Sequence, residues 1–175
     1  MTEVAVTAVG ADRPGIVAAL TGALLGIGGN LADVRAALLR GSFATVLAVA
    51  LPEGVGPEQV EAALRPVADE LGLGLWVGLA AERPAGPAPE RAVLSVYGAD
   101  HPGIVHGVTR ALADRGANIV DLSARVVGDP PIYVLGIELE LPPGVDAAAL
   151  QDALAPVAEE HGVEMALEAE RDEVL

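Results

Sequence analysis

Cysteine and lysine are absent from the 175 residues, and aromatic side chains number four: one Phe, one Trp and two Tyr. Without cysteine there is no disulfide, no thiolate metal site and no cysteine nucleophile. With so few rings, a core must be packed by Val, Leu, Ile and Ala, and hydrophobic residues at 52% supply enough of them. No long apolar run escapes interruption by Gly, Pro or charge, so no membrane span is expected. The opening MTEVAVTAVGADRPG has neither a basic leader nor an apolar core with a small-residue cleavage site, and the expectation is a soluble cytoplasmic protein. Ten arginines against 25 acids leave a net charge of −15. The arginines stand singly among acids, whereas nucleic-acid binding draws its affinity from a segregated basic patch that neutralises phosphates. No direct nucleic-acid partner is expected, and the acidity reads as a solvated surface.

What is present is a duplication. GADRPGIV at residues 10–17 returns as GADHPGIV at residues 98–105, with Arg13 exchanged for His101. At an offset of 88, residues 10–37 match residues 98–125 at fourteen of 28 positions. After a two-residue insertion near Gly128-Asp129-Pro130-Pro131 the offset is 90, and LRPVADELG at 64–72 meets LAPVAEEHG at 154–162. The chain therefore reads as one unit spelled twice: residues 1–82, a proline-rich linker at 83–91, and residues 92–175.

Each copy has the same periodicities. Residues 3–9 and 92–97 are Val-rich and predict strands. Ile16, Leu20 and Leu24, and likewise Ile104, Val108 and Leu112, recur at helical spacing, which predicts a helix from Pro14 to Ile27 and its equivalent. Gly28 and Gly116 suit the left-handed position that ends a helix. Strands follow at Asn30–Leu39 and Asn118–Val127, then at Ala44–Leu51 and Ile132–Leu141. Second helices span Pro57–Leu71 and Asp146–His161, with a kink or break expected at Pro66 and Pro156. Strands at Leu73–Ala80 and Val163–Ala169 complete a βαββαβ order, twice. The fold class is α+β: two tandem ferredoxin-like domains, each a mostly antiparallel four-stranded sheet with helices on one face.

The copies differ on the other face. In the third strand of the second copy, Glu138 and Glu140 occupy the alternate positions; the first copy has Val46, Ala48 and Ala50 there. Residues 1–90 hold ten acids against five arginines, and residues 91–175 fifteen against five. The outer sheet face of the first copy is expected to be covered, by a second chain or by the partner domain. Small alanines on an uncovered sheet are the alternative.

The repeated turn can hold an amino acid. Gly15 bears no side chain, and the free amides of Gly15, Ile16 and Val17 at a helix start can bind a carboxylate. Asp12 and Asn30 offer acceptors for an ammonium group, and Asp12 can also cap the helix or oppose its dipole. The same letters equally suit a strand-to-helix turn that binds nothing, and composition alone leaves both open. A metal site is not expected, because His101, His106 and His161 are dispersed. Gly22, Gly26, Gly28 and Gly29 lie at a helix end, where phosphates do not bind. Ser42, Ser95 and Ser123 lack the glycine context of a nucleophile, so no catalytic residue and no cofactor is assigned.

Asp-Arg-Pro-Gly-Ile-Val entering a helix, then Gly28-Gly29-Asn30-Leu31 opening the next strand, resembles the ACT domain. Asp-His-Pro-Gly-Ile-Val and Gly116-Ala117-Asn118-Ile119 repeat the likeness, which spans nearly the entire chain. A tandem pair of this kind is similar to regulators related to the glycine cleavage system transcriptional repressor. The resemblance implies non-enzymatic amino-acid sensing at interfaces between paired units, with homo-oligomers and a regulatory protein partner. It nominates Gly10, Asp12, Arg13, Pro14, Gly15, Ile16, Asn30 and Leu31, and in the second copy Gly98, Asp100, His101, Pro102, Gly103, Ile104, Asn118 and Ile119. Asp12 and Asp100 stand where members of that family often place asparagine, which leaves the ligand's identity open.

Overall fold

Valine alternating with alanine and threonine extends the chain over Thr2–Ala11 (β1), because residues two apart share one face of a strand. On that face Val4, Val6 and Ala8 are buried. The computed structural model describes residues 2–81 and 89–169. The chain divides into two compact units, Met1–Pro84 and Ala85–Leu175. Unit 1 continues with α1 (Ile16–Gly26), β2 (Asn30–Leu39), β3 (Ser42–Leu51), α2 (Pro57–Leu71) and β4 (Gly74–Leu79). Unit 2 holds β5 (Glu90–Gly98), α3 (Ile104–Asp114), β6 (Asn118–Val127), β7 (Ile132–Leu141), α4 (Ala147–His161) and β8 (Val163–Ala169).

Both sheets are antiparallel throughout, in the orders β2-β3-β1-β4 and β6-β7-β5-β8. The βαββαβ order is thus present twice. In unit 1, Ile16, Leu20 and Leu24 of α1 and Val60 and Leu64 of α2 pack on Val4, Val6 and Leu47 of the sheet. Unit 2 repeats this with Ile104, Val108 and Leu112 against Leu94, Val96 and Ile137. The burial of these aliphatic side chains, at about 1.5–3 kcal/mol each, is what holds each unit together. The edge strands β2 and β6 lie beyond the helices' cover, so Val34, Leu38 and Leu39 are exposed there, as are Val126 and Val127. A β-bulge at Ala32 and another at Val120 interrupt the register of these strands at matching places.

Several bounds differ from the sequence reading by one or two residues, among them β3 from Ser42, β4 as Gly74–Leu79 and α4 from Ala147. The first helix begins at Ile16 and ends at Gly26, so Pro14 precedes the cap rather than forming the first turn. Strand β5 takes in Glu90 and Arg91, which had been given to the linker; residues 83–88 of that linker lie outside the described residues. The first strand, expected over residues 3–9, runs from Thr2 to Ala11. Finally, α2 and α4 continue through Pro66 and Pro156 without breaking in two. Both prolines are exposed, as are Ala62 and Asp152 four residues before them. The carbonyl that each proline leaves without an amide donor therefore belongs to a solvent-exposed residue, where the cost of leaving it without its helical partner is smaller. Gly28 and Gly116 do adopt the left-handed conformation, with φ of 77° and 71°.

Candidate ligand site

The repeated turn places a glycine at each helix cap. Gly15 precedes α1 with φ 94° and Gly103 precedes α3 with φ 105°, values that a Cβ atom disfavours. No side chain caps either helix start, so the expected capping by Asp12 does not occur. Instead the backbone amide of Asp12 donates to the Gly41 carbonyl at 2.9 Å, which fastens the turn to the β2–β3 hairpin. Asp12 and Asp100 are exposed. The first amides of α1 have no intrahelical acceptor by construction, and they carry the positive end of the helix dipole. Apart from the adjoining residues, no atom lies within 4 Å of where a Cβ on Gly15 would stand, so the space beside this glycine is empty.

Several nominated residues have other occupations. A Cβ on Gly10 would come within 2.7 Å of the Leu73 side chain and 3.0 Å of the Gly72 carbonyl; on Gly98 it would meet Val163 at 2.6 Å. These two glycines let β1 and β5 run close to the chain entering β4 and β8. Ile16 and Ile104 are core side chains, and Leu31 and Ile119 are partly buried against the same cores.

Arg13 donates from Nη2 to the Glu70 carbonyl at 2.9 Å, near the end of α2. In unit 2, His101 makes the corresponding tie: Nε2 lies 2.6 Å from the His161 carbonyl oxygen at the end of α4, and Nδ1 lies 3.2 Å from that of Pro102. Both acceptors favour the ring protonated at both nitrogens. The His161 carbonyl raises the His101 pKa most, followed by the Pro102 carbonyl; slight desolvation opposes them, and the Asp100 charge adds to the rise. The His161 ring stacks on His101 with centroids 5.3 Å apart. Its Cε1 would lie 3.1 Å from a Cβ on Gly103, so the unit 2 helix start is partly covered. Beyond it opens a shallow groove of about 400 Å³, lined by His106, Gly107, Arg110, Glu160 and His161.

His161 is weighed in the sequence only as a metal ligand and is not among the residues nominated for the ligand site. A signal was present: Leu71 aligns with His161, so the units differ at this position as well as at Arg13 and His101. Among the described residues no cluster of three or more His, Asp or Glu side chains is placed to hold a metal, and no helix is long and apolar enough to cross a membrane.

The strand register separates the proposed acceptors. Gly10 pairs with Phe43 at one end of β3, and Asn30 pairs with Ala50 near the other. Seven residue steps along the strand separate the two, or about 23 Å at about 3.3 Å each. Unit 2 has the same separation, with Gly98 opposite Tyr133 and Asn118 opposite Glu140. Asp12 and Asn30 of one unit therefore do not converge on one ammonium group. Asn118 instead donates to the Glu140 carboxylate at 3.3 Å.

This architecture and these turns recur in known proteins. The ACT domain pattern matches residues 2–77 and again residues 90–168. The UPF0237 protein MK1213 of Methanopyrus kandleri is 39% identical over 80 residues, covering 46% of this chain and 88% of its own. Phosphoserine phosphatase SerB2 of Mycobacterium tuberculosis is 30% identical over 172 residues, 95% of this chain but only 40% of that enzyme. Among solved structures, an unknown protein from Galdieria sulphuraria has a TM-score of 0.86 at 31% identity, covering 97% of this chain and 99% of its own. A putative glycine cleavage system transcriptional repressor has a TM-score of 0.75 at 20% identity over 98% of both chains, a likeness of fold. With the family pattern matched twice on two βαββαβ units, the chain belongs to the ACT domain family.

Proposed function

We propose that the protein is a non-enzymatic regulator that binds an amino acid at the α1 helix start of unit 1. The observation that carries this reading is the uncapped turn at Gly15, which no side chain caps and where the space beside the glycine Cα is empty. The ligand carboxylate sits on the amides of Gly15, Ile16 and Val17, and its ammonium faces the exposed carboxylate of Asp12. Asn30 joins the site from another copy. Two β2 edges paired antiparallel about a two-fold axis bring Asn30 of one copy level with Leu39 of the other, the end that holds Asp12. The exposed backbone and apolar side chains of β2 support such pairing. A ligand bound across that seam favours the paired arrangement by its differential affinity, and a regulatory protein partner reads the result. In unit 2 the His161 ring against Gly103 favours a second reading, a loop that binds nothing and serves association alone.

Thermal melting with a panel of the twenty amino acids tests this. A ligand at about 100 times its dissociation constant adds about 2.7 kcal/mol. One amino acid should raise the melting temperature of the wild type, and Asp12→Ala should remove that rise while Asp100→Ala keeps it. Flat melts across the panel would sink amino-acid sensing and leave the association reading.

A further inference from the structure

We infer that the outer face of the unit 1 sheet docks on the same face of a second copy of this chain, with Trp76 as its anchor. This rests on the sheet and not on the ligand reading. Across β1, β3 and β4 that face presents Ala5, Thr7, Val9, Val46, Ala48 and Ala50, with Glu3 the sole charge on those strands. Trp76, the chain's one tryptophan, pairs with Thr7 and so stands on this face, where it is 57% exposed. Its ring lies flat along the strand over Gly78: a Cβ there would come within 2.6 Å of the indole. A glycine that lets a large ring lie down on an open sheet makes a flat apolar slab. Val46 and Val9 flank it, 51% and 49% exposed.

Charge selects the occupant. The chain carries −15, so an arriving second copy is repelled everywhere except where a surface is neutral. The edge strand adds Asp33 and Arg35 as a balanced pair, opposite Ala48 and Val46. The matching face of unit 2 is a poor occupant. It holds Glu138, Glu140, Glu164 and Glu168 with Arg91, and those carboxylates would meet a surface carrying one arginine. An isologous contact of two such faces, each left with only the charge of Glu3 once Asp33 and Arg35 cancel, lowers that cost. Four strands about 4.8 Å apart, paired over about eight residues at about 3.3 Å, project roughly 500 Å² per copy. Two copies bury about 1,000 Å² before side-chain relief is counted, which reaches the lower end of specific interfaces. An exposed tryptophan amid small residues is the usual composition of an energetic centre.

The test uses the full chain and its single tryptophan. Sedimentation and Trp76 emission are followed together from nanomolar to tens of micromolar concentration. The mass should double over a range in which the emission shifts to the blue. Ala48→Glu copies onto unit 1 the residue that Glu138 supplies on the same strand of unit 2, opposite Asp33 as Glu138 is opposite Asp121, so the sheet accepts it. Circular dichroism should be unchanged, while self-association weakens at least about a hundredfold and the emission stays at its solvent-exposed position. Three results overturn the inference: emission independent of concentration, a concentration-dependent blue shift that survives Ala48→Glu, or a monomer whose emission is already blue-shifted because its own chain covers the ring.

Discussion

Four glycines of the repeated turn do two different jobs, and alanine distinguishes them. Gly15 needs only its positive φ, with empty space around it, so Gly15→Ala should cost about 1–2 kcal/mol of backbone strain. Gly98 is held by close packing: a Cβ would sit 2.6 Å from the Val163 side chain and 3.2 Å from its Cα. Gly98→Ala should cost more, about 2–3 kcal/mol, because backbone must move to relieve it. Urea denaturation of the two variants checks the order, and equal losses would refute the division. Arg13 and His101 make the same tie with different chemistry. Arginine stays charged, whereas His101 has a folded pKa raised above the ordinary 6.5. Its contribution is therefore fully present below about 6.5 and is lost as pH rises through the higher folded value. The facing groups are Asp100 on the same loop and His161 on α4. His101→Arg should remove this pH dependence from unit 2, observable as a melting temperature that no longer falls between pH 6 and 8 relative to the wild type. A dependence that persists in His101→Arg belongs to some other group.

Helices and strands show which features a local pattern can specify. The bounds of β2, β6, β7, α2 and β8 follow from alternation or helical spacing within ten or fifteen residues, and the structure reproduces them. The turn's partners could not be read that way. Arg13 reaches Glu70 across 57 residues and His101 reaches His161 across 60, distances at which spacing carries no information. Asn30 was grouped with Asp12 because both offer oxygen acceptors; only the register with β3 shows them at opposite ends of the sheet. Of the kink or break expected at Pro66 and Pro156, the break is absent, because solvent lowers the cost of a stranded carbonyl. Water removes part of the cost but not the lost hydrogen bond or the ring's crowding. Pro66→Ala and Pro156→Ala should therefore each stabilise their unit, by about 1–3 kcal/mol, with no change in activity or assembly. Calorimetry reads the gain. A loss of stability would mean that the proline rings themselves support the packing of α2 and α4.

The whole molecule is a duplication whose halves have diverged in charge, in the tie at the repeated turn and in the outer sheet face. Each half nevertheless keeps a core of its own. Unit 1 buries Val4 to Leu73 in one cluster, unit 2 buries Ala92 to Val163 in another, and neither cluster draws a residue from the other unit. Stability that comes from burying aliphatic side chains is then complete within each unit. Residues 1–84 and residues 85–175, produced separately, should each unfold in one cooperative transition. At about 0.7 kcal/mol per residue near 60 °C, each should absorb roughly 60 kcal/mol at its midpoint. Only the second fragment should show the pH-dependent melting attributed to His101, and only the first should respond to an amino acid. A first fragment that melts without cooperativity would mean that its apolar sheet face needs a covering partner in order to fold, which would make association a condition of the structure instead of a consequence of it.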